Sequence, residues 1–100
     1  MFTPRYQNAQ TDLLVKALLA LKTPEEAYRF LEDVLTIQEI KTVTQRLEVA
    51  VMLRQKTTYQ EIVHETGAST TTIGRVNRTL QYGADGYSII LDRLNGPQDT

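Results

Sequence analysis

Three times in this chain a threonine stands three residues ahead of a glutamate: Thr23-Pro24-Glu25-Glu26, Thr36-Ile37-Gln38-Glu39 and Thr58-Tyr59-Gln60-Glu61. Each reads as a capping box. The hydroxyl accepts from the third helical N–H, and the glutamate reaches back to the cap's own N–H. Pro24 fits the first helical position, where a missing N–H costs nothing. Between these marks the apolar residues recur at three-four spacing, and no useful stretch alternates with period two. The pattern predicts an all-α domain of six helices joined by short turns.

The predicted helices follow in order. Leu13, Leu14, Ala17, Leu18 and Leu21 share one face of a helix from about Tyr6 to Leu21. The second helix turns Ala27, Phe30, Leu31 and Val34 inward. The third, to about Gln55, carries Ile40, Val43, Leu47, Ala50 and Leu53 or Arg54 at helical spacing. Val49, Val51 and Met52 add apolar surface on its other faces, which marks a central helix packed on several sides. Lys56 and Thr57 close it. A short helix from Tyr59 to Thr66 places Ile62 and Tyr59 inward and stops at Gly67, which enters the left-handed region cheaply. Ser69 caps the next, from Thr70 to about Tyr82, with Ile73, Val76 and Leu80 facing the core and Gly83 ending it. The last, about Asp85 to Leu94, turns Tyr87, Ile90, Leu91 and Leu94 inward. Asn95-Gly96-Pro97 ends it, and the tail beyond is expected to be mobile.

One hundred residues allow one domain with a modest core, which dimerisation would enlarge. The absence of cysteine excludes disulfides and thiolate metal sites, and His64, the single histidine, cannot build a histidine-rich one. No metal site is expected. No apolar run reaches the length of a membrane span, and Met1-Phe2-Thr3-Pro4-Arg5 lacks a signal-peptide core, so a cytoplasmic protein without a membrane partner is expected. The net charge of -1 announces no polyanion partner. It hides a gradient. Residues 46–84 carry five basic side chains against three acidic ones, and residues 66–84 contain Arg75 and Arg78 but no acid. A polyanion can approach there without local repulsion.

A short helix, a glycine-containing turn and a second helix outline a helix-turn-helix over residues 59–82, against the plain alternative of a helical hairpin. The outward positions of the second helix are Thr70, Thr71, Gly74, Arg75, Arg78 and Gln81, all small, polar or basic. Small groups let a backbone enter a major groove, and threonine hydroxyls and methyls can read base edges. The first turn, Thr70-Thr71-Thr72, lacks the capping glutamate of the other capped helices. Its free N–H groups and positive dipole end suit a phosphate.

Tyr59-Gln60-Glu61-Ile62, followed by Thr66-Gly67-Ala68-Ser69-Thr70-Thr71-Thr72-Ile73-Gly74-Arg75-Val76-Asn77-Arg78, resembles the DNA-binding half of the Trp repressor superfamily, and most of all its YerC/YecD group. Leu35-Thr36 through Glu39 to Arg46 resembles it too, as does Tyr82-Gly83 through Gly86-Tyr87 to Leu91-Asp92-Arg93-Leu94. The likeness runs from Leu13 to Leu94. It implies an intertwined homodimer, with residues 6–55 and 85–94 as dimer core and two reading heads meeting successive major grooves about 34 Å apart on a roughly palindromic site. By position, Thr70, Thr71 and Gly74 would face bases, with Ser69, Thr72 and Arg75 beside them. Tyr59, Gln60 and Arg78 would face the backbone. Val63 stands where the repressor has a lysine, which removes one phosphate contact.

The resemblance also implies a pocket at Thr36, Arg46, Arg75, Val76 and Thr79, where the repressor holds L-tryptophan. Two guanidinium planes can sandwich an indole, and Arg75 can pair a carboxylate. Val76 departs from the repressor's glycine and would fill ligand space, leaving heads that need no corepressor. The expectation is therefore no cofactor, with L-tryptophan or a similar small corepressor as the alternative. Thr36 is already explained as a helix cap, Arg46 can pair near Glu48 or with Glu39 across the helix surface, and Arg75 can sit on phosphate.

The resulting expectation is a sequence-specific DNA-binding regulator, a repressor, and not an enzyme. His64 falls on an exposed side beside Glu65 and has no Ser–His–Asp arrangement to join. Asn77-Arg78-Thr79 matches a glycosylation sequon by chance. The alternative is an interaction module that keeps the dimeric fold with weak or no DNA binding.

Overall fold

A computed structural model describes residues 1–95. It contains six helices: α1 (Ala9–Ala20), α2 (Pro24–Val34), α3 (Ile37–Arg54), α4 (Tyr59–Thr66), α5 (Thr70–Tyr82) and α6 (Gly86–Asn95). No strand occurs among the described residues, and the all-α expectation holds. Gly96 and Pro97 and the tail after them lie outside the described residues.

The helix starts are written in side-chain hydrogen bonds. Thr36 and Glu39 form the full reciprocal box: Glu39 N–H donates to Thr36 Oγ1 at 3.1 Å, and Thr36 N–H to Glu39 Oε1 at 2.8 Å. Thr23 accepts from Glu26 N–H at 3.1 Å, but Glu26 Oε1 takes the N–H of Lys22, one residue before the cap. Thr58 accepts from Glu61 N–H at 3.2 Å. A further box opens α1 at Asn8, where Thr11 N–H donates to Asn8 Oδ1 and Asn8 N–H to Thr11 Oγ1, both at 2.8 Å. This cap moves the start of α1 from the expected Tyr6 to Ala9, because Asn8 holds extended backbone. Tyr6 lies before the helix, and its carbonyl accepts from Thr11 Oγ1.

The chain divides into two compact units, residues 1–40 and 41–100. In the first, neither α1 nor α2 contains a buried residue. The inward stripe expected for α2 is corrected here, and the one-face stripe of α1 is left uncovered by this unit. Leu13, Leu14, Leu18, Leu31 and Val34 are exposed, and Ala17, Leu21, Ala27 and Phe30 are only half-buried.

The second unit holds the core: Val49, Ala50, Ile62, Ala68, Ile73, Val76 and Leu91, with Leu47, Leu80 and Tyr87 among the residues packed around it. The buried pair on α3 is Val49 with Ala50, while Val43, which shares the helical spacing of Ala50, is exposed. On α6 only Leu91 is buried. Ile90 and Leu94 are exposed, against expectation. Arg54 ties α6 to α3 by donating to the Ser88 carbonyl and pairing with Asp92.

Candidate nucleic-acid interface

The helix-turn-helix is built by Thr66. Its hydroxyl donates to the Ile62 carbonyl at 2.7 Å and accepts from Ala68 N–H at 3.1 Å, closing the end of α4 onto the turn. Gly67 then takes φ +74°, the left-handed conformation a side chain resists. Ala68 drops into the core, and Ser69 caps α5 by accepting from Thr72 N–H at 3.1 Å. Ile62 on α4 and Ile73 on α5, both fully buried, lock the two helices together. Tyr59, expected inward, lies at the exposed edge instead, 39 % accessible. Its oxygen sits at the polar tip of the ring and is met there by Asn77 Nδ2 at 3.2 Å.

Thr70, Thr71, Arg75, Arg78 and Gln81 are all exposed on α5, and Gly74 is half-buried. Gly74 has nothing within 4 Å of where a Cβ would stand. Gln60 is exposed on α4. No acidic residue lies in the first turn of α5, whereas α1 to α4 each carry at least one. The ion pairs of the described residues are Arg29 with Glu25 and Arg54 with Asp92. Among the described residues Arg75 and Arg78 carry no ion pair, on a helix whose first turn has no acid, and this surface attracts an anion. Ser69 and Thr72 serve each other, since Ser69 Oγ also donates to Thr72 Oγ1 at 3.1 Å. Their first duty is the cap. Val63 is half-buried against the core, where a lysine would carry charge outward.

Arg46, Thr72, Arg75, Val76, Thr79 and Tyr87 line a cleft of about 290 Å³ in the second unit. Four of the five residues expected at a ligand pocket, all but Thr36, thus come together. Val76 lines the cleft while only 4 % exposed, so its side chain is wall rather than opening. Among the described residues Arg46 has no ion pair. Thr36 belongs to the first unit, and its hydroxyl is taken by the α3 cap. His64 is exposed, and no group of metal-ligating side chains gathers among the described residues.

Two polar contacts around the head were not anticipated from the sequence. Gln45 donates to the Thr66 carbonyl at 3.1 Å, and Asn77 donates to the Tyr59 hydroxyl at 3.2 Å. Asn77 carried a signal: it stands four residues after Ile73 and three before Leu80, a polar side chain at core spacing. Gln45 carried none beyond its place on a central helix.

Residues 9–95 match the family described as Trp repressor protein. The chain is 51% identical over 90 residues to the uncharacterized protein YerC of Bacillus subtilis (strain 168), covering 90% of this chain and 86% of that one. A Staphylococcus aureus crystal structure assigned as a Trp repressor superposes with a TM-score of 0.85 at 49% identity, over 89% of each chain. A TrpR-like protein from Eubacterium eligens ATCC 27750 gives 0.85 at 52% identity, over 88% of this chain and 91% of that one.

Proposed function

This chain belongs to the Trp repressor family, in its YerC-type branch, and on that premise we propose that it is a homodimeric, sequence-specific DNA-binding transcription regulator that represses. That family is one of helix-turn-helix regulators rather than enzymes. No described helix is long and apolar enough to cross a membrane.

The observation that carries the reading is the outward face of α5. Thr70, Thr71, Arg75 and Arg78 are exposed on a helix anchored by Ile73 and Val76, with no acid in its first turn. In a major groove the threonines meet base edges, and Arg78, with Tyr59 and Gln60 from α4, meets the phosphates. The dimer is supported by the apolar surface of α1 and α6, where Leu13, Leu19, Ile89 and Leu94 are exposed. Monomers seldom leave that much apolar surface to water.

The test is binding to duplex DNA across a salt titration. Phosphate contacts make affinity fall steeply with salt, and alanine at Arg78 is expected to flatten the slope by about one. Absence of binding at low salt favours the second reading, a dimeric interaction module. Val63 is the observation behind that reading, since it packs against the core where a phosphate-binding lysine would reach outward.

In this reading the heads work without a corepressor, because Val76 occupies the cleft wall. Calorimetry with L-tryptophan is expected to give no heat with the wild type and measurable binding to Val76→Gly. Tight binding by the wild type overturns this part.

A further inference from the structure

The bond between Asn77 and Tyr59 joins the two helices of the head through their side chains. Asn77 Nδ2 donates to the Tyr59 phenol oxygen at 3.2 Å. Asn77 is half-buried and Tyr59 opens to solvent at the start of α4. Among the described residues the phenol has no other hydrogen-bond partner.

A phenol carries one hydrogen to donate and accepts at its oxygen. Asn77 uses the accepting side, so the phenol hydrogen is left for an acceptor outside the protein. A donor bonded to the phenol oxygen also polarises its O–H and strengthens what it donates. The bond fixes where the ring can swing, which lowers the ordering cost when a phosphate arrives.

We propose that Asn77 is a positioning residue for DNA, holding the Tyr59 phenol so that its hydrogen is given to a backbone phosphate oxygen. This rests on the regulator reading above. Asn77 itself touches no nucleic acid. Its side chain stands on the inner side of α5, at the spacing of Ile73 and Leu80, and acts through Tyr59.

A double-mutant cycle tests it, with duplex affinity and thermal stability measured on Tyr59→Phe, Asn77→Ala and the pair. Tyr59→Phe removes only the hydroxyl. Each single change is expected to weaken DNA binding about tenfold, the value of a hydrogen bond to a charged acceptor. The double variant is expected to be no weaker than either single one. The salt slope should stay at the wild-type value, since neither residue is charged, whereas Arg78→Ala lowers it. A merely structural Asn77 would weaken binding as much in the Tyr59→Phe background as in the wild type, and that outcome overturns the proposal. So does unchanged affinity in Tyr59→Phe, a variant too conservative to unfold the head. If the wild type binds no duplex at any salt, the regulator reading itself fails and the proposal with it. Normal wild-type binding with an additive cycle sinks the Asn77 role alone.

Discussion

Gln45 of α3 donates from its Nε2 to the carbonyl of Thr66, the last residue of α4, at 3.1 Å. The last four carbonyls of a helix have no partner within it. At this one, a side chain from twenty-one residues upstream supplies the missing donor. The bond pins the end of α4 at the point where Thr66 also closes the turn.

Gln45→Leu is therefore expected to destabilise the protein by about 1–2 kcal/mol, because it leaves a partly buried carbonyl unpaired. Urea denaturation measures the loss. Amide exchange should quicken first at Gly67 and Ala68, whose N–H groups bond within this turn. A change below about 0.3 kcal/mol would show that water replaces Gln45 without penalty.

Three glycines of the head region should respond to alanine in different directions. At Gly67, φ +74° strains any side chain, and Gly67→Ala is expected to cost about 1–2 kcal/mol. At Gly83 a Cβ would stand 2.5 Å from the Thr79 carbonyl oxygen, so Gly83→Ala must shift the end of α5 and also destabilise. Gly74 lies inside α5 with nothing within 4 Å. Gly74→Ala is expected to stabilise by about 0.5–1 kcal/mol through helix propensity alone. If α5 enters a groove, the same substitution weakens duplex binding while the melting temperature rises. Stability and affinity moving together would argue against close approach at Gly74.

How much of this was legible beforehand depends on what each residue answers to. Local rules settled the head: Thr58, Gly67, Ser69 and the Ile62, Ile73 and Val76 spacing gave α4 and α5 their observed bounds and their buried side. The start of α1 was missed because its box puts asparagine at the cap and threonine at the third helical position, not the threonine–glutamate pair of the other three. The apolar stripes of α1, α2 and α6 were legible, but on α2 and α6 they were read as facing inward, where Leu31, Val34, Ile90 and Leu94 are exposed. Periodicity reports which face avoids water, not which molecule covers it. The partners of Asn77 and Gln45 could not be read, because a hydrogen bond across 18 or 21 residues leaves no spacing in the sequence.

Arg54 and Asp92 should matter modestly. Their side chains are 35% and 65% accessible, so solvent screens the pair. Asp92→Asn is expected to cost about 0.2–1 kcal/mol at low salt. The difference from wild type should shrink toward zero in about 1 M salt, where the Debye length is near 3 Å. Arg54→Ala should cost more than Asp92→Asn, because it also removes the donor to the Ser88 carbonyl. Equal losses would mean that the Ser88 bond contributes nothing.

The apolar surface of α1 leads to the most decisive prediction about assembly. Leu13 is 69% exposed and Leu19 81%, on a helix with no buried residue. Burying such a leucine stabilises by about 1.5–3 kcal/mol, which a second copy can supply on both sides of a dyad. Sedimentation should give twice the chain mass, and the melting temperature should fall on dilution, as it does when folding and association are linked. Leu13→Glu with Leu18→Glu, on the face that also carries Leu14, should shift the protein to monomer and reduce its helicity by circular dichroism. A wild type that sediments as a monomer, with a melting temperature independent of concentration, would show that α1 is covered by something other than a second copy.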